Sequence, residues 1–326
     1  MSQTSKSPKA VAAAAYRIAR DTLPEHFSRY SPQKFTQPQL MVCLVLKAFF
    51  DIDYRGIVQI LNDFPSLGQV FGLQTVPHFT TLQKASRRLL STDHAQALLR
   101  RTLEIGLGRR KTVTLAALDS TGLEARHVSR YFVLRKRSKQ LQTLEETTYK
   151  RFPKLAMVCD CRTHLILSMI PSWGPSVDVN QFRRPLDRAA RHVPIRRLLA
   201  DAGFDSEANH RYARETLHIQ TTIPARAGRP TGALPKTKYR KRMVTHFAKK
   251  TYGQRAQAET VFSMIKRNFT DCLSARSYWP QCRDMALLVI THNLAIILLV
   301  KELFYRAFLT PLLPLIFKND KNENKL

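Results

Sequence analysis

The spacing of apolar residues divides the chain into two parts with different periodicities. Residues 1–108 carry apolar positions at helical spacing, most clearly over 38–62, and Pro65, Gly68 and Pro77 interrupt the stretch that follows. We therefore predict an all-α N-terminal region made of short helices with breaks at these three positions.

The last of these predicted helices carries basic side chains. Thr80 or Thr81 would cap it, and Lys84, Arg87 and Arg88 follow within the helix. Such an arrangement is compatible with a helix-turn-helix whose second helix faces DNA, but similar helix breaks also occur in plain helical bundles. Both interpretations stay open from the sequence.

The pattern changes after residue 111. "TVTLAALD" is a short β-branched, apolar run that ends at Asp119, and "KLAMVCD" and "HLILSMI" flank the turn "CRT" as a predicted hairpin. A helix over 180–192 leads to the strand "IRRLLAD", which ends at Asp201; the helix "SEANHRYARET" then leads to the strand "HIQTTIPA". The predicted order β-β-β-α-β-α-β-α-α combines a meander with parallel crossovers and matches a mixed α/β sheet of ribonuclease-H-like type with flanking helices.

An apolar run near the C-terminus raises the question of a membrane span. The run at 285–300 is shorter than the roughly 20 residues that cross a bilayer, and Thr291, His292 and Asn293 interrupt its centre. A buried helix and no membrane contact are expected. The predicted organisation is a helical region at 1–108 that contains the possible helix-turn-helix, an α/β domain at 109–310 with a short basic insertion at 224–251, and a polar tail at 311–326.

The charge balance indicates a polyanionic partner. The chain has 53 Lys and Arg against 24 Asp and Glu, for a formal net charge of +29. Cations at this density bind a phosphate backbone by releasing its counterions, so double-stranded DNA is the expected partner, with a cationic surface kept for solubility as the alternative. Five cysteines, an odd number, and the lack of an apolar N-terminal signal favour a cytoplasmic, nucleoid-associated protein.

Three acids stand out in this basic chain. Asp119 and Asp201 each close an apolar strand, and the carboxyl ends of parallel strands are where an open α/β sheet gathers reactive groups. Glu259 lies in "TYGQRAQAETVFSMIKRNF", where helical spacing predicts a single stripe with Tyr252, Arg255 and Lys266. Three carboxylates suit hard divalent cations such as Mg²⁺, and a metal pair promotes in-line phosphoryl displacement. The alternative for Glu259 is a simple helix ion pair with Arg255.

Three sequence motifs together resemble a known family. Tyr252, Arg255, Glu259 and Lys266 reproduce the Y-(2)-R-(3)-E-(6)-K signature of the DDE-type transposases of bacterial insertion sequences. "LAALDSTGLEA" is similar to the family's first aspartate motif and "LLADAGFDSE" to its second, and the three motifs occur in the family's order. The resemblance covers about residues 110–300.

The resemblance implies a ribonuclease-H-like fold in which Asp119, Asp201 and Glu259 are catalytic and bind Mg²⁺, with Mn²⁺ as a possible substitute. It further implies that Tyr252 lies beside the scissile end, and that Arg255 and Lys266 contact DNA. Family members bind terminal inverted repeats as dimers or larger synaptic assemblies, hydrolyse the 3′ end and join the freed hydroxyl to target DNA. A metal-dependent nuclease of the same fold without strand transfer, or a non-catalytic domesticated DNA-binding protein, are the alternatives.

Two basic blocks without acids flank the three carboxylates in sequence. They span 126–139 and 226–250, and both interleave aromatic residues or glycine. The alternative for either block is a solvated charge run. The insertion is too short for the β-rich domain of some relatives. The residues expected to contact DNA are Tyr252, Arg255, Lys266, Arg267, Arg240, Lys241, Arg242, Arg135, Lys136 and Arg137.

The remaining polar and aromatic candidates receive weaker assignments. Asp178 is expected either near DNA or behind the metal ligands, Asp205 is expected to cap the following helix, and Asp160 is expected to be solvated in its hairpin turn. Trp173 and Trp279 are expected to be packing residues rather than base-stacking ones.

Overall fold

The N-terminal part of the protein is helical, as predicted. The computed structural model describes residues 5–28, 30, 33–126, 151–226 and 234–309. Its first six helices are α1 Pro8–Thr22, α2 Gln37–Phe49, α3 Tyr54–Asp63, α4 Pro65–Gln69, α5 Phe79–Leu89 and α6 Thr92–Leu107.

Side chains just outside the helices determine where several of them begin. Thr36 and Gln39 form a reciprocal capping box at the start of α2, and the Asp53 carboxylate accepts the backbone N–H of Gly56 in the first turn of α3. At α5 the cap is His78, so the prediction of Thr80 or Thr81 as the cap is wrong. An imidazole nitrogen accepts the orphan backbone N–H there, as a Thr hydroxyl would.

The second part of the chain is built on a mixed five-stranded sheet. Its strands are β1 Val113–Gly122, β3 Phe152–Asp160, β4 Ile166–Gly174, β5 Ile195–Ala200 and β6 Gln220–Thr222, in the spatial order β4-β3-β1-β5-β6. β1, β3 and β4 form an antiparallel meander, whereas β5 and β6 join parallel to β1. This is the ribonuclease-H-like sheet predicted from the order of elements. A two-stranded parallel pair, β2 Glu124–Ala125 with β7 Cys272–Leu273, lies beyond β1.

Helices cover this sheet and connect it to the N-terminal region. They are α7 Arg183–His192, α8 Glu207–Arg211, α9 Lys238–Thr245, α10 Lys249–Tyr252, α11 Ala256–Asn268 and α12 Tyr278–Leu309. α7 packs on β4 and β3, α11 packs on β1 and β3, and α12 packs on α6, α2, α1 and β4.

A single hydrophobic core spans both parts of the chain. Its buried side chains run from Val11 in α1, through Leu118 in β1, to Ile297 in α12. The change from helices to strands near residue 108 is therefore a change of secondary structure without a break in packing. The boundary at 108 stays a prediction about domains.

Polar residues in the centre of α12 bind the start of β4. Asn293 is fully buried; its amide donates to the Ile166 carbonyl and to the Thr102 hydroxyl, and its oxygen accepts the Ile166 N–H. Among the described residues, Tyr278–Leu299 is the one helical stretch long and apolar enough to cross a membrane, and 72% of its most apolar part is buried inside the fold. Burial of this kind is what the core helix of a globular fold shows, in line with the expected buried helix.

Candidate active site

Asp119 and Asp201 lie side by side on adjacent parallel strands. The register pairs Leu118 of β1 with Ala200 of β5, and one aspartate follows directly on each strand. Neighbouring strands are about 4.8 Å apart, and side chains at paired positions project from the same face. Asp119 does not end its strand as predicted, because β1 continues to Gly122 against β3. The parallel pairing of β1 with β5 ends just before Asp119 and Asp201. Their carboxylates therefore lie where these two strands separate.

Glu259 lies on α11, near the place where β1 and β5 separate. Ala258, Val261, Phe262 and Ile265 of this helix are buried, at the spacing of one helical face, and the helix packs on β1. Glu259 itself is 57% exposed at its side chain. It lines an open cleft of about 460 Å³ whose walls also include Asp119, Ser120, Lys266 and Arg267.

The segment around Glu259 is not the single continuous helix that the stripe prediction assumed. α10 ends at Tyr252, a 3₁₀ turn covers Gly253–Arg255, and α11 begins at Ala256. Tyr252 still lies close to the carboxylates. Burial raises the pKa of its hydroxyl, and the negative charges of Asp201 and Asp119 add to this rise.

Arg255 joins two of the predicted metal ligands. Its guanidinium is 3.5 Å from Oδ2 of Asp119 and also forms an ion pair with Oε1 of Glu259. Burial by itself would lower the pKa of Arg255, but the charge of Glu259, the Tyr252 hydroxyl and the charge of Asp119 raise it above its ordinary value. Arg255 is therefore a fixed cation within the carboxylate group.

The environment of Asp119 favours its protonated form. Burial raises the pKa of this carboxyl to about 6, against the opposing effects of the Ser120 N–H and of Arg255. The negative charges of Asp201 and Glu259 raise it further. The positive charge of Arg255 therefore offsets only part of the effects that raise the pKa of Asp119.

The donor chemistry fits a divalent cation, but the carboxylates do not form a closed ligand shell. In the described part of the chain, no three His, Cys, Asp or Glu side chains are close enough to hold one ion together. Carboxylate oxygens are the ligands that Mg²⁺ prefers, and a cation would offset the burial and the like charges that raise the pKa of Asp119. The Arg255 guanidinium contributes positive charge at the same carboxylates.

Behind the two aspartates, Asp178 connects three parts of the site. Its Oδ1 accepts the Ser120 hydroxyl at 2.8 Å and the Lys154 ammonium at 2.6 Å. A Cβ placed at Gly203 would lie 3.3 Å from its Oδ2, so the turn after Asp201 passes directly against this carboxylate. Asp178 thus contacts the residue after Asp119 and the turn after Asp201, and its role at the site stays a prediction.

Lys154 is the residue of this site that the sequence did not reveal. Its side chain is almost fully buried, and its ammonium also donates to the Ser176 carbonyl at 2.8 Å. Lys154 opens the apolar run of β3, where a lysine is usually exposed at a strand end. No local signal marks its partner, which lies 24 residues away.

Arg240, predicted to contact DNA, is turned toward the protein. Its guanidinium donates to Oδ2 of Asp205 at 2.8 Å and to the Arg226 carbonyl at 3.2 Å. The Asp205 side chain is fully buried, and Ser206 caps the helix that Asp205 was expected to cap, so that expectation is wrong. Burial would raise the pKa of Asp205, but hydrogen bonds from His210, the Arg226 N–H and Arg240 lower it.

The other predicted DNA contacts divide by location. Lys241 and Arg242 are exposed on α9, and Arg267 is exposed at the edge of the carboxylate cleft. Arg135, Lys136 and Arg137 lie outside the described residues.

Asp160 corrects another expectation. Its side chain is 1% exposed rather than solvated, and it pairs with Arg110 at 3.0 Å and accepts the Thr163 hydroxyl at 2.6 Å. The hairpin turn that carries it is thereby fixed to the end of α6.

Comparison with known proteins identifies the family. A solved structure described as the piggyBac transposase synaptic complex with hairpin DNA is similar over 89% of this chain and 71% of that chain, with 10% sequence identity and a TM-score of 0.45. No curated protein sequence matches the chain. The family described as "Transposase DDE domain" matches residues 112–294, more than half of the 326 residues and a range that includes Asp119, Asp201 and Glu259. The chain belongs to the transposase DDE domain family.

Proposed function

We propose that this member of the transposase DDE domain family binds the terminal inverted repeats of a bacterial insertion sequence, hydrolyses the DNA at the element's ends and joins the resulting 3′ hydroxyl to target DNA. The observation that carries the proposal is that Asp119 and Glu259 line one cleft and that the charge of Asp201 acts on Asp119, within the range that the family matches. The site would work within a homodimer or larger synaptic assembly in the bacterial cytoplasm, at the nucleoid.

Asp119, Asp201 and Glu259 are the residues that would hold two Mg²⁺ ions, with Mn²⁺ as a substitute. When bound, the metal pair activates the attacking oxygen and stabilises the leaving one. The buried position of Asp119, with the charges of Asp201 and Glu259 nearby, supports this role, because a bound cation stabilises a carboxylate that burial and like charges disfavour.

Arg255 has two successive partners in this proposal. In the absence of metal and DNA its guanidinium compensates Asp119 and Glu259. If Asp119 and Glu259 held divalent cations, the Arg255 guanidinium would be available to a DNA phosphate, for which its planar fork is well suited. Arg255 would thus keep the site stable when empty and contact the substrate when it is loaded.

The other cations of the site would position the DNA backbone. Lys266 and Arg267 lie on the wall of the same cleft as Asp119, which places them beside a phosphate that reaches the carboxylates. Tyr252, half-buried beside Asp119 and Asp201, would contact the sugar or base next to the scissile bond. Lys241 and Arg242 on α9 would contact the backbone farther along the DNA.

The proposal is tested by cleavage and joining assays with the ends of the element. We expect Asp119→Asn, Asp201→Asn and Glu259→Gln each to lower Mg²⁺-dependent cleavage at least a thousandfold while DNA binding in gel shifts stays within about threefold. Asp63→Asn is the matched control, because Asp63 is exposed on α3 and bonds to Gln59 on the same helix. It should retain full cleavage.

The two alternatives give different outcomes in the same assays. Cleaved ends that never become joined to a target plasmid would indicate a metal-dependent nuclease of the same fold. Inverted-repeat binding without cleavage in Mg²⁺ or Mn²⁺ would indicate a non-catalytic DNA-binding protein. Wild-type cleavage in any of the three carboxylate variants would refute the proposed set of ligands.

A further inference from the structure

A second basic cleft lies away from the carboxylates, between the N-terminal helices and the edge of the sheet. It has a volume of about 680 Å³ and is lined by α5, α6, β4, α7 and the start of α12. We call it the arginine cleft; the residues that define it are Arg87, Arg184, Arg188, Arg191, Trp279 and Arg283.

The arginine cleft contains positive charge that the described protein does not neutralise. Its one acidic lining residue is Asp187, whose carboxylate accepts the Tyr212 hydroxyl at 2.6 Å. None of the five arginines has a carboxylate within ion-pair distance among the described residues. The cleft therefore has five uncompensated guanidinium groups.

Three of these arginines repel one another on α7. Arg184, Arg188 and Arg191 are spaced by four and three residues, so they share one face of the helix. Burial lowers the pKa of Arg188, and the charges of Arg184 and Arg191 lower it further. The protein bears this repulsion in its free state, and an anionic ligand would relieve it.

An aromatic cluster completes the cleft. The Trp279 side chain is 69% exposed, so the expectation that it is a packing residue is wrong. Its ring meets Tyr278 at 5.3 Å in an edge-on contact, and Tyr278 stacks on Trp173 at 5.3 Å. Arginines beside an exposed aromatic ring form a surface typical of nucleic-acid binding, because one group meets phosphates and the other meets sugars or bases.

The arginine cleft is separate from the carboxylate site, and the two border different strands of the same sheet. Met169, which lines the cleft, lies on edge strand β4 and pairs with Met157 of β3, which in turn pairs with Asp119. Two strand spacings amount to about 10 Å, less than one turn of duplex DNA.

We propose that the arginine cleft binds the sugar–phosphate backbone of duplex DNA beside the DNA that occupies the carboxylate site. The inference rests on the proposed function, because it takes the same class of substrate as its ligand. An acidic protein surface is less well matched, because five arginines in one cleft offer the repeated fork that phosphates fill, and Trp279 offers a face for a nucleotide.

Intrinsic fluorescence tests the proposal directly, because the protein has two tryptophans: Trp279 lines this cleft, and Trp173 stacks on Tyr278, another lining residue. Without metal, titration of the wild-type protein with a random-sequence duplex should change the tryptophan emission. Trp279→Phe should lose most of that change. Arg184→Gln combined with Arg191→Gln replaces two exposed arginines, and should weaken binding at least tenfold and lower the slope of log K against log salt by about 2.

The matched control is Arg17→Gln combined with Arg162→Gln, two exposed arginines on α1 and in the β3–β4 turn that do not line the cleft. Equal salt slopes for the two double variants would overturn the proposal. So would a double variant that loses binding to polyglutamate but keeps the wild-type DNA slope, since the partner would then be acidic protein.

If the wild-type protein cleaves no DNA but the slope and emission effects persist, the proposed function fails and the cleft assignment stands. If cleavage occurs and both effects are missing, the cleft assignment alone fails.

Discussion

The Arg255 guanidinium lies 3.5 Å from the Asp119 carboxylate, although the two residues are separated by 136 positions in the chain. Asp119 comes from the central strand and Arg255 from the turn before α11, so the contact forms only when the helix packs on the sheet. The same guanidinium pairs with Glu259. A fixed cation thus occupies the place between two carboxylates for which a metal role is proposed.

Removing this cation should destabilise the metal-free protein at high pH. For Arg255→Gln we expect a loss of about 1–2 kcal/mol in unfolding free energy at pH 8, because Asp119, Asp201 and Glu259 then repel without compensation. At pH 5 the loss should be smaller, since Asp119, with a pKa of about 6, is then largely protonated. Urea unfolding at the two pH values measures the difference. Equal losses at both would contradict this account of Arg255.

Neutralising Asp119 should have the opposite effect on stability. The pKa of Asp119 is raised to about 6, above the ordinary 3.8. Ionisation of Asp119 therefore lowers the free energy of unfolding, with no effect below about pH 4 and the full effect above about pH 6. Asp119→Asn should therefore stabilise the metal-free protein at pH 8, on the order of 1–2 kcal/mol, while abolishing cleavage. Little or no gain is expected at pH 4. Thermal unfolding across pH 4–8 tests this, with Asp63→Asn as a surface control.

Lys154 and Asp178 should act by positioning the aspartates rather than by touching DNA. Lys154→Met leaves the Asp178 carboxylate without its buried partner, and the Ser120 hydroxyl and the Gly203 turn lose their common support. We expect cleavage to fall tenfold or more, with a higher Mg²⁺ concentration needed for half-maximal rate. DNA affinity should stay within about threefold.

The control for this pair is Lys111→Met, an exposed lysine ahead of β1. It should leave the Mg²⁺ dependence unchanged. A merely structural role for Lys154 would lower stability without shifting the Mg²⁺ requirement, and that result would contradict positioning.

Arg240 and Arg242 should behave differently although they lie on the same helix. Arg240 is bound to the buried Asp205 carboxylate, so Arg240→Gln leaves a buried charge without its partner and should cost about 2–3 kcal/mol. Arg242 is exposed, so Arg242→Gln should leave stability unchanged and lower the salt slope of DNA binding by about 1. Chemical unfolding and binding titrations separate the two effects. If Arg240→Gln weakened DNA binding without any loss of stability, Arg240 would be a direct DNA contact.

His292 should make the protein sensitive to acid. The ring is fully buried in α12 with its Nε2 bonded to the His164 carbonyl, and burial lowers its pKa to about 4. Stability is therefore lost as pH falls from about 6.5 toward 4, by on the order of 2–3 kcal/mol, because only the unfolded chain accepts the proton readily. His292→Gln should remove this part of the acid sensitivity. An identical pH profile for the variant would show that other groups cause it.

Much of the fold followed from local patterns. The alternation and length of the apolar runs predicted β1, β3, β4 and β5, because a strand buried on a sheet leaves that mark on the sequence. Asp201 directly follows the carboxyl end of β5, as the same pattern predicted, whereas Asp119 lies inside β1 because that strand continues to Gly122 against β3. Glu259 was predicted from the spacing of the Y-(2)-R-(3)-E-(6)-K motif that the chain shares with a known family, and in the structure it lines the same cleft as Asp119.

The residues whose environment was predicted wrongly are bound by partners that are distant in the sequence. Asp160 was expected to be solvated but pairs with Arg110, 50 residues away, and Asp205 is bound by Arg240, 35 residues away. A polar residue in a turn has the same local pattern whether it meets water or a buried cation. Only the packing of helices on the sheet decides which of the two occurs.

The sequence by itself therefore determined the ribonuclease-H-like order of elements and the apolar runs that carry Asp119 and lead to Asp201, because both depend on neighbours along the chain. The tertiary structure alone decided that Arg255 stands between Asp119 and Glu259, that Lys154 supports Asp178, and that five arginines meet around Trp279. Those contacts join segments far apart in sequence, and their energies arise from burial and charge that exist only once the chain has folded.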